Sequence, residues 1–464
     1  MGVMDSNCRR EGSMKTTVDL LITGGMIVTS HGLLRACVAI KKGIITSICK
    51  KHTAPKADKI LDIKGKILLP GVIDAHTHIH DRKFRYKEDF KTGSQAASAG
   101  GVTSFIDMPL ISPIDSRKQV LEKIEMGESL SHVDFSLHGG MMNQSNMENI
   151  PEIVSEGVRS FKVFTCSPHG VSDEVILDIL ERAKNNDSIV VFHAENDGIV
   201  SYKRKILERQ KRVDPLAYHE SRPNEAEQEA VTRVILLAKI AGEQIHIAHV
   251  STRQVLKPVW VAKNEGTKVT IETCPHYLFF TQGDVKRLGP RLKVTPPLRS
   301  KEDVAAMWLG LKKGVIDILT SEHAPGTPEE TAVGWSNIWD AWSGLPSVET
   351  MLPLLLSEGV NKRRLSLSDV HRVLCQSPAR IFGLYGRKGD IAPGFDADLV
   401  VVDLRLKKRI SIEMLHHKVD QTPYEGIVFK GWPVTTIVRG NVVYDGESIR
   451  GKPGSGQFIP MVKK

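Results

Sequence analysis

The stretch "GVIDAHTHIH" (71–80) sets His76, His78 and His80 at alternate positions behind an apolar run. In an extended chain alternate side chains share a face, so Asp74, His76, His78 and His80 line up for as long as the strand continues. Neutral imidazole is a good ligand for zinc and its neighbours, and two imidazoles from one strand end can grip a single ion. The preceding "ILLPGVIDA" is almost continuously apolar, as expected of a strand buried on both faces in a parallel α/β sheet. Such folds keep their chemistry at the carboxyl ends of these strands.

Seven more short, β-branched runs follow, at 102–108, 133–139, 158–164, 189–194, 244–250, 268–274 and 316–322. Segments of helical character lie between them, among them "SRKQVLEKIEM", "DEVILDILERAKN" and "NEAEQEAVTRVILLAKIAG", the last with a terminal glycine stop. Strand then helix, eight times, predicts an α/β fold of the (β/α)8 TIM-barrel type. An open doubly wound sheet is the alternative; no Gly-rich phosphate loop follows the first strand. Residues 18–68 and 389–448 are short strands with glycine turns, and they predict one small β-sandwich built from both chain ends. The expected division is a disordered start over 1–17, sandwich over 18–68, barrel over 69–385, sandwich again over 386–450, and a Gly/Pro-rich extended tail over 451–464.

On this frame four more residues fall near strand carboxyl ends: Lys162 on the fourth, His193 on the fifth, His249 on the sixth and Glu322 on the eighth. All would face one mouth of the barrel. His246 is out of phase with His249 and is expected to face outward. Lys162 is the unusual member, because an ammonium ion would repel a metal cation. A buried lysine loses its proton readily, and the neutral amine can add carbon dioxide to become an anionic carbamate able to bridge two ions.

Bulk properties narrow the function class. The chain has 464 residues, 41% hydrophobic and 25% charged, as in ordinary globular proteins. Its net charge is +9, but Lys and Arg are dispersed, and even the densest cluster, "YKRKILERQKR", contains Glu208. Nucleic acid is therefore not an expected partner. No stretch is apolar enough to span a membrane. The six cysteines are scattered, with no C-x-x-C pair, which points to a reducing compartment and a cytoplasmic protein.

Further stretches carry a family resemblance: "YKEDFKTGSQAASAGGVTSFIDMP", "FKVF", "FHAEN", "IHIAHVST", "ETCPHYL", "VTPPLR", "SEHAPGTPEE" and "ARIFGLYGRKGDIAPGFDADLVVVD". With "GVIDAHTHIH", they make the chain, from about residue 18 to 448, resemble the cyclic amidohydrolases: allantoinases, dihydropyrimidinases or hydantoinases, and dihydroorotases. The resemblance implies two divalent ions, zinc in type, with His76 and His78 on one, His193 and His249 on the other, and carboxylated Lys162 on both. It also implies a homotetramer. Where the family has an aspartate that binds metal and shuttles the proton, this chain has Glu322, one methylene longer. Thr295, Gly344 and His80 fall where relatives hold the substrate.

The same resemblance orders the substrates. Dihydroorotases carry an arginine two residues after His-x-His and an asparagine after "DMP"; here these are His80 and Leu110, and Arg82 is out of register. Hydantoinases carry a tyrosine soon after the lysine, and "KVFTCSPHG" has none. A small cyclic ureide such as allantoin is favoured, with a hydantoin or dihydropyrimidine next. A catalytically impaired scaffold relative is the alternative of a different class, and retention of four histidines and the lysine speaks against it.

Overall fold

In the computed structural model, which describes residues 17–79, 82–109 and 112–463, eight short parallel strands form the centre. They are Val72–Thr77, Val102–Asp107, Asp134–Leu137 with Gly139–Gly140, Ser160–Phe164, Ile189–His193, Ile245–Ile247, Val269–Thr273 and Ile318–Leu319. Each pairs in parallel with the next. The ring closes where Thr77 bridges His323, with His78 N donating to His323 O at 2.8 Å and Glu322 N to His76 O at 2.9 Å. This is the barrel expected from the eightfold alternation.

The helices take their places for local reasons. Asp173–Asn185 starts at Ser172, whose side chain accepts from Val175 N, as an N-cap should. Asn224–Ala241 stops at Gly242, which takes the left-handed φ of +63°; glycine alone adopts that without a Cβ penalty. Their apolar faces pack on the outward strand side chains, including Val163, Val190, Phe192, Ile245 and Ile271.

The chain ends meet in a two-sheet sandwich. One sheet runs Ile44–Cys49, Cys37–Lys41, Val18–Thr23, Ala57–Asp62. The other runs Asn441–Tyr444, Val428–Val438, Leu399–Arg409, Ile67–Pro70, Met26–Thr29, Gly32–Leu34. The two ends of the chain join where Leu399–Arg409 pairs antiparallel with Ile67–Pro70, a strand that runs past the boundary expected at residue 68. Ile22, Ile40, Ile45, Leu68, Leu399 and Ile437 fill the space between the sheets.

The tail is pinned under the barrel. Phe135 N donates to Gln457 O, Ile459 N to Phe135 O and Met461 N to Gly157 O. Ile459 and Met461 pack with Ile73, Ile106, Ile189, Val191 and Ile318, the inward residues of the strands. They close the amino-terminal mouth with apolar side chains. Polar chemistry is thereby confined to the other mouth.

Candidate metal centre

Ile73 and Ala75 occupy the apolar interior beside Ile189 and Val191, so an unbroken strand would turn His76 outward. The pairing register of Val72–Thr77 slips between Asp74 and Thr77. Such an irregularity re-aims a side chain, and His76 enters the cavity. The single polar face expected for Asp74, His76 and His78 is corrected accordingly. Asp74 instead sits buried beneath, accepting from Ser321 N at 2.9 Å.

His249 reaches the site by a second irregularity. The sixth strand ends at Ile247, and His249 has φ +38°, a conformation rare for a residue with a Cβ. This kink breaks the phase argument that placed His246 outside. His246 is fully buried; its Nε2–H donates to Glu272 Oε2 at 3.0 Å, and its Nδ1 faces Thr270 Oγ1 at 2.8 Å.

The four imidazoles form a contiguous row. Ring centroids are 5.3 Å apart for His78 and His76, 5.5 Å for His76 and His249, and 4.7 Å for His249 and His193. Three have one nitrogen held from behind: His76 Nδ1 donates to Glu272, His78 Nδ1 to Met108 O at 3.0 Å, and His193 Nε2 to Glu195 at 2.9 Å. Glu272 Oε1 also accepts from His249 N at 3.1 Å. Backing by carboxylates and carbonyls fixes the tautomer and leaves the opposite nitrogen as a ligand. His78 and His249 are held well below the usual histidine range, first by burial and then by neighbouring positive groups, so both are neutral donors.

His193 Nδ1 and His249 Nε2 are 3.0 Å apart. Two lone pairs cannot face each other there, so one of the two nitrogens carries a proton in the metal-free chain. Held by His193, that proton has a pKa of about 9: burial opposes this, and the adjacent Cys166 and Glu195 outweigh burial. Two nitrogens bound to one tetrahedral zinc lie about 3.3 Å apart, so the gap fits a metal ion with little adjustment.

Lys162 faces the same cavity. It is buried, with no hydrogen bond or ion pair among the described residues. Burial lowers its pKa to about 8, against the pull of Glu272 and Glu322. A substantial neutral fraction is what addition of carbon dioxide requires.

The cavity holds about 240 Å³ and is lined by all of His76, His78, Lys162, His193, His249 and Glu322, with Thr295 and Gly344 on the facing wall. Thr295 Oγ1 is bonded to Ser343 Oγ at 2.7 Å and to the Tyr218 hydroxyl. Gly344 has φ +138°, its N–H donates to Lys293 O, and a Cβ would stand 2.4 Å from Ala324 O. Its carbonyl is what remains for a ligand. His80 and Leu110 lie outside the described residues.

Glu322, with φ +50°, lines the cavity while its Oε2 rests 3.5 Å from His276 Nε2 and 3.8 Å from Cys274 Sγ. His323 turns away, its Nε2–H donating to Glu88 at 2.9 Å and its Nδ1 accepting from Ser347 N. The longer glutamate thus reaches toward the seventh strand end.

Sequence reasoning missed the supporting carboxylates Glu272 and Glu195, and Arg222, which lines the cavity and pairs with Glu195. Burial tends to raise the Glu272 carboxyl, but His76 and His246 hold it well below the carboxylate range. A charge inside the apolar strand "VTIET" was the available signal.

A closed parallel barrel with imidazoles, a buried lysine and a carboxylate around one mouth is an arrangement able to hold divalent metal ions. The Amidohydrolase family model matches residues 67–443. An allantoinase of Deinococcus radiodurans is 34% identical over 94% of this chain and 98% of its own length. A dihydroorotase of Methanothermobacter thermautotrophicus is 40% identical over 87% and 90%. The solved L-hydantoinase (dihydropyrimidinase) from Arthrobacter aurescens superposes with a TM-score of 0.93 at 34% identity, covering 96% of this chain and all of that one. The chain belongs to the Amidohydrolase family. It is a cyclic amidohydrolase of the allantoinase/hydantoinase type.

Proposed function

We propose that the chain opens the ring of a cyclic ureide, allantoin first, at a centre of two divalent ions, zinc in type. The carrying observation is the row of four imidazoles around one cavity, three of them backed, with Lys162 buried beside them and without a hydrogen bond or ion pair among the described residues. His76 and His78 would hold one ion and His193 and His249 the other. Lys162 would hold both after its amine adds carbon dioxide and releases a proton. The ions supply Lewis acidity that polarises the ring carbonyl and ionises water near neutral pH.

The remaining work falls to the chain. Glu322 takes the proton of the attacking water and returns it to the leaving ring nitrogen. The Thr295 hydroxyl, set by Ser343 and Tyr218, and the Gly344 carbonyl hold the ring amide, and His80, outside the described residues, is proposed as a further substrate contact. Arg222 is already neutralised by Glu195, which argues against a carboxylate-bearing dihydroorotate. A hydantoin or dihydropyrimidine is the second reading, supported by the L-hydantoinase likeness.

Turnover of allantoin, hydantoin, dihydrouracil and dihydroorotate, measured beside metal content, tests the reading. Allantoin hydrolysis with about two ions per chain is expected; full activity without metal overturns it. The proposal extends to a homotetramer in the cytoplasm, checked by light scattering and fractionation. Among the described residues no helix is long and apolar enough to cross a membrane.

A further inference from the structure

Beside the cavity His276 is fully buried, and neither of its ring nitrogens has a hydrogen-bond partner among the described residues. A buried imidazole with both nitrogens unsatisfied is rare and calls for an explanation such as an ion. Its Nε2 lies 3.5 Å from Glu322 Oε2. Cys274 Sγ, also fully buried, lies 3.8 Å from the same oxygen. The sulfur, nitrogen and carboxylate oxygen all lie within 4.8 Å of one another. Around a tetrahedral zinc, N···O and S···O separations are about 3.4 to 3.6 Å, so the two edges that meet at Glu322 Oε2 are within a few tenths of an ångström of that geometry. Glu322 is the partly exposed member and opens the group to the cavity, which supplies an entry path and a fourth position for water.

We propose that Cys274 Sγ, His276 Nε2 and Glu322 Oε2 form a third metal site, weaker than the four-histidine centre, that takes a soft divalent cation such as zinc or cadmium and inhibits the enzyme by immobilising Glu322. The inhibitory part rests on the reading of Glu322 as proton carrier. A thiolate with an imidazole selects zinc or cadmium and rejects magnesium. As the sulfur–metal bond forms the thiol proton leaves to solvent, and nothing is oxidised or reduced. The site offers three protein ligands against the four imidazoles and Lys162 of the main centre, so it fills after that centre. The extra methylene of glutamate over aspartate is what lets the carboxylate reach His276 and Cys274.

The test adds cobalt(II) stepwise to metal-free protein. On the binuclear reading, the four-histidine centre has only nitrogen and oxygen ligands. We expect the equivalents that fill it to give no thiolate band, and a further equivalent to bring thiolate-to-cobalt charge-transfer absorption in the near ultraviolet. Cys274→Ser should abolish that band and keep the earlier equivalents. Cys166→Ser, which alters the cysteine beside His193, should keep it. In parallel, excess free zinc should lower wild-type turnover on the order of a hundredfold, while Cys274→Ser and His276→Asn, each checked by thermal melting, keep their own turnover at the same zinc. Two bound equivalents with turnover and no thiolate band overturn this proposal alone. So does equal zinc inhibition of wild type and Cys274→Ser. A chain that binds no cobalt overturns both this proposal and the binuclear reading.

Discussion

Glu272→Gln isolates the support behind the histidines. The substitution keeps size and hydrogen-bonding shape and removes the charge. In the native protein Oε1 receives His76 Nδ1–H and His249 N–H, and Oε2 receives His246 Nε2–H. With the amide oxygen in the place of Oε1, the amide NH2 faces His246. That ring can move its proton to Nδ1, donate to Thr270 Oγ1 and accept one amide N–H, so His246 keeps both of its partners. What is lost is the charge on the two bonds to Oε1. A bond to a charged group is stronger than a neutral one by about 1 to 1.5 kcal/mol, so the two together lose about 2 to 3 kcal/mol, or roughly 30- to 150-fold in metal affinity. That agrees with the 10- to 100-fold typical of groups that orient metal ligands. Because one oxygen serves a ligand of each ion, both affinities should fall. Zinc titration of metal-free protein against a chromophoric chelator reads this, and melting of the metal-free forms separates a folding defect. Zinc binding indistinguishable from wild type, with an intact fold, refutes the reasoning.

Three further outcomes are expected. Glu322→Gln should cut turnover by about a hundredfold or more with metal content little changed, while Glu322→Asp keeps measurable activity; wild-type turnover in Glu322→Gln would remove it from the proton path. Lys162→Arg should lose both metal and activity, because guanidinium stays charged and cannot form a carbamate; elemental analysis of the purified variant decides. Gly344→Ala places a Cβ 2.4 Å from Ala324 O at φ +138°, so it should raise KM for the ureide and lower stability by about 1 to 3 kcal/mol, read by kinetics and denaturant melts.

Much of this protein was legible in one dimension. Eight apolar runs alternating with helical segments specify the barrel, because a strand buried on both faces must be apolar throughout and its companion helix must carry a stripe. Lys162 and His193 were legible because their strands keep strict alternation from Ile189 and Ser160 to the mouth. Other features depended on breaks in that alternation, which no local pattern announces. The slip at Asp74 turns His76 inward, and the kink at His249 turns His249 inward, while His246 faces inward by regular alternation with the outward Ile245 and Ile247. Only tertiary structure decided the partners that act across strands: Glu272 beneath His76, Arg222 against Glu195, and Glu322 directed at Cys274 and His276. These partners are far apart in sequence, and a hydrogen bond or a ligand shell is set by distances of a few ångströms that only the closed barrel creates. The tail followed the same rule: its composition spelled an extended segment, and the apolar floor it completes exists only once the strands have closed into a ring.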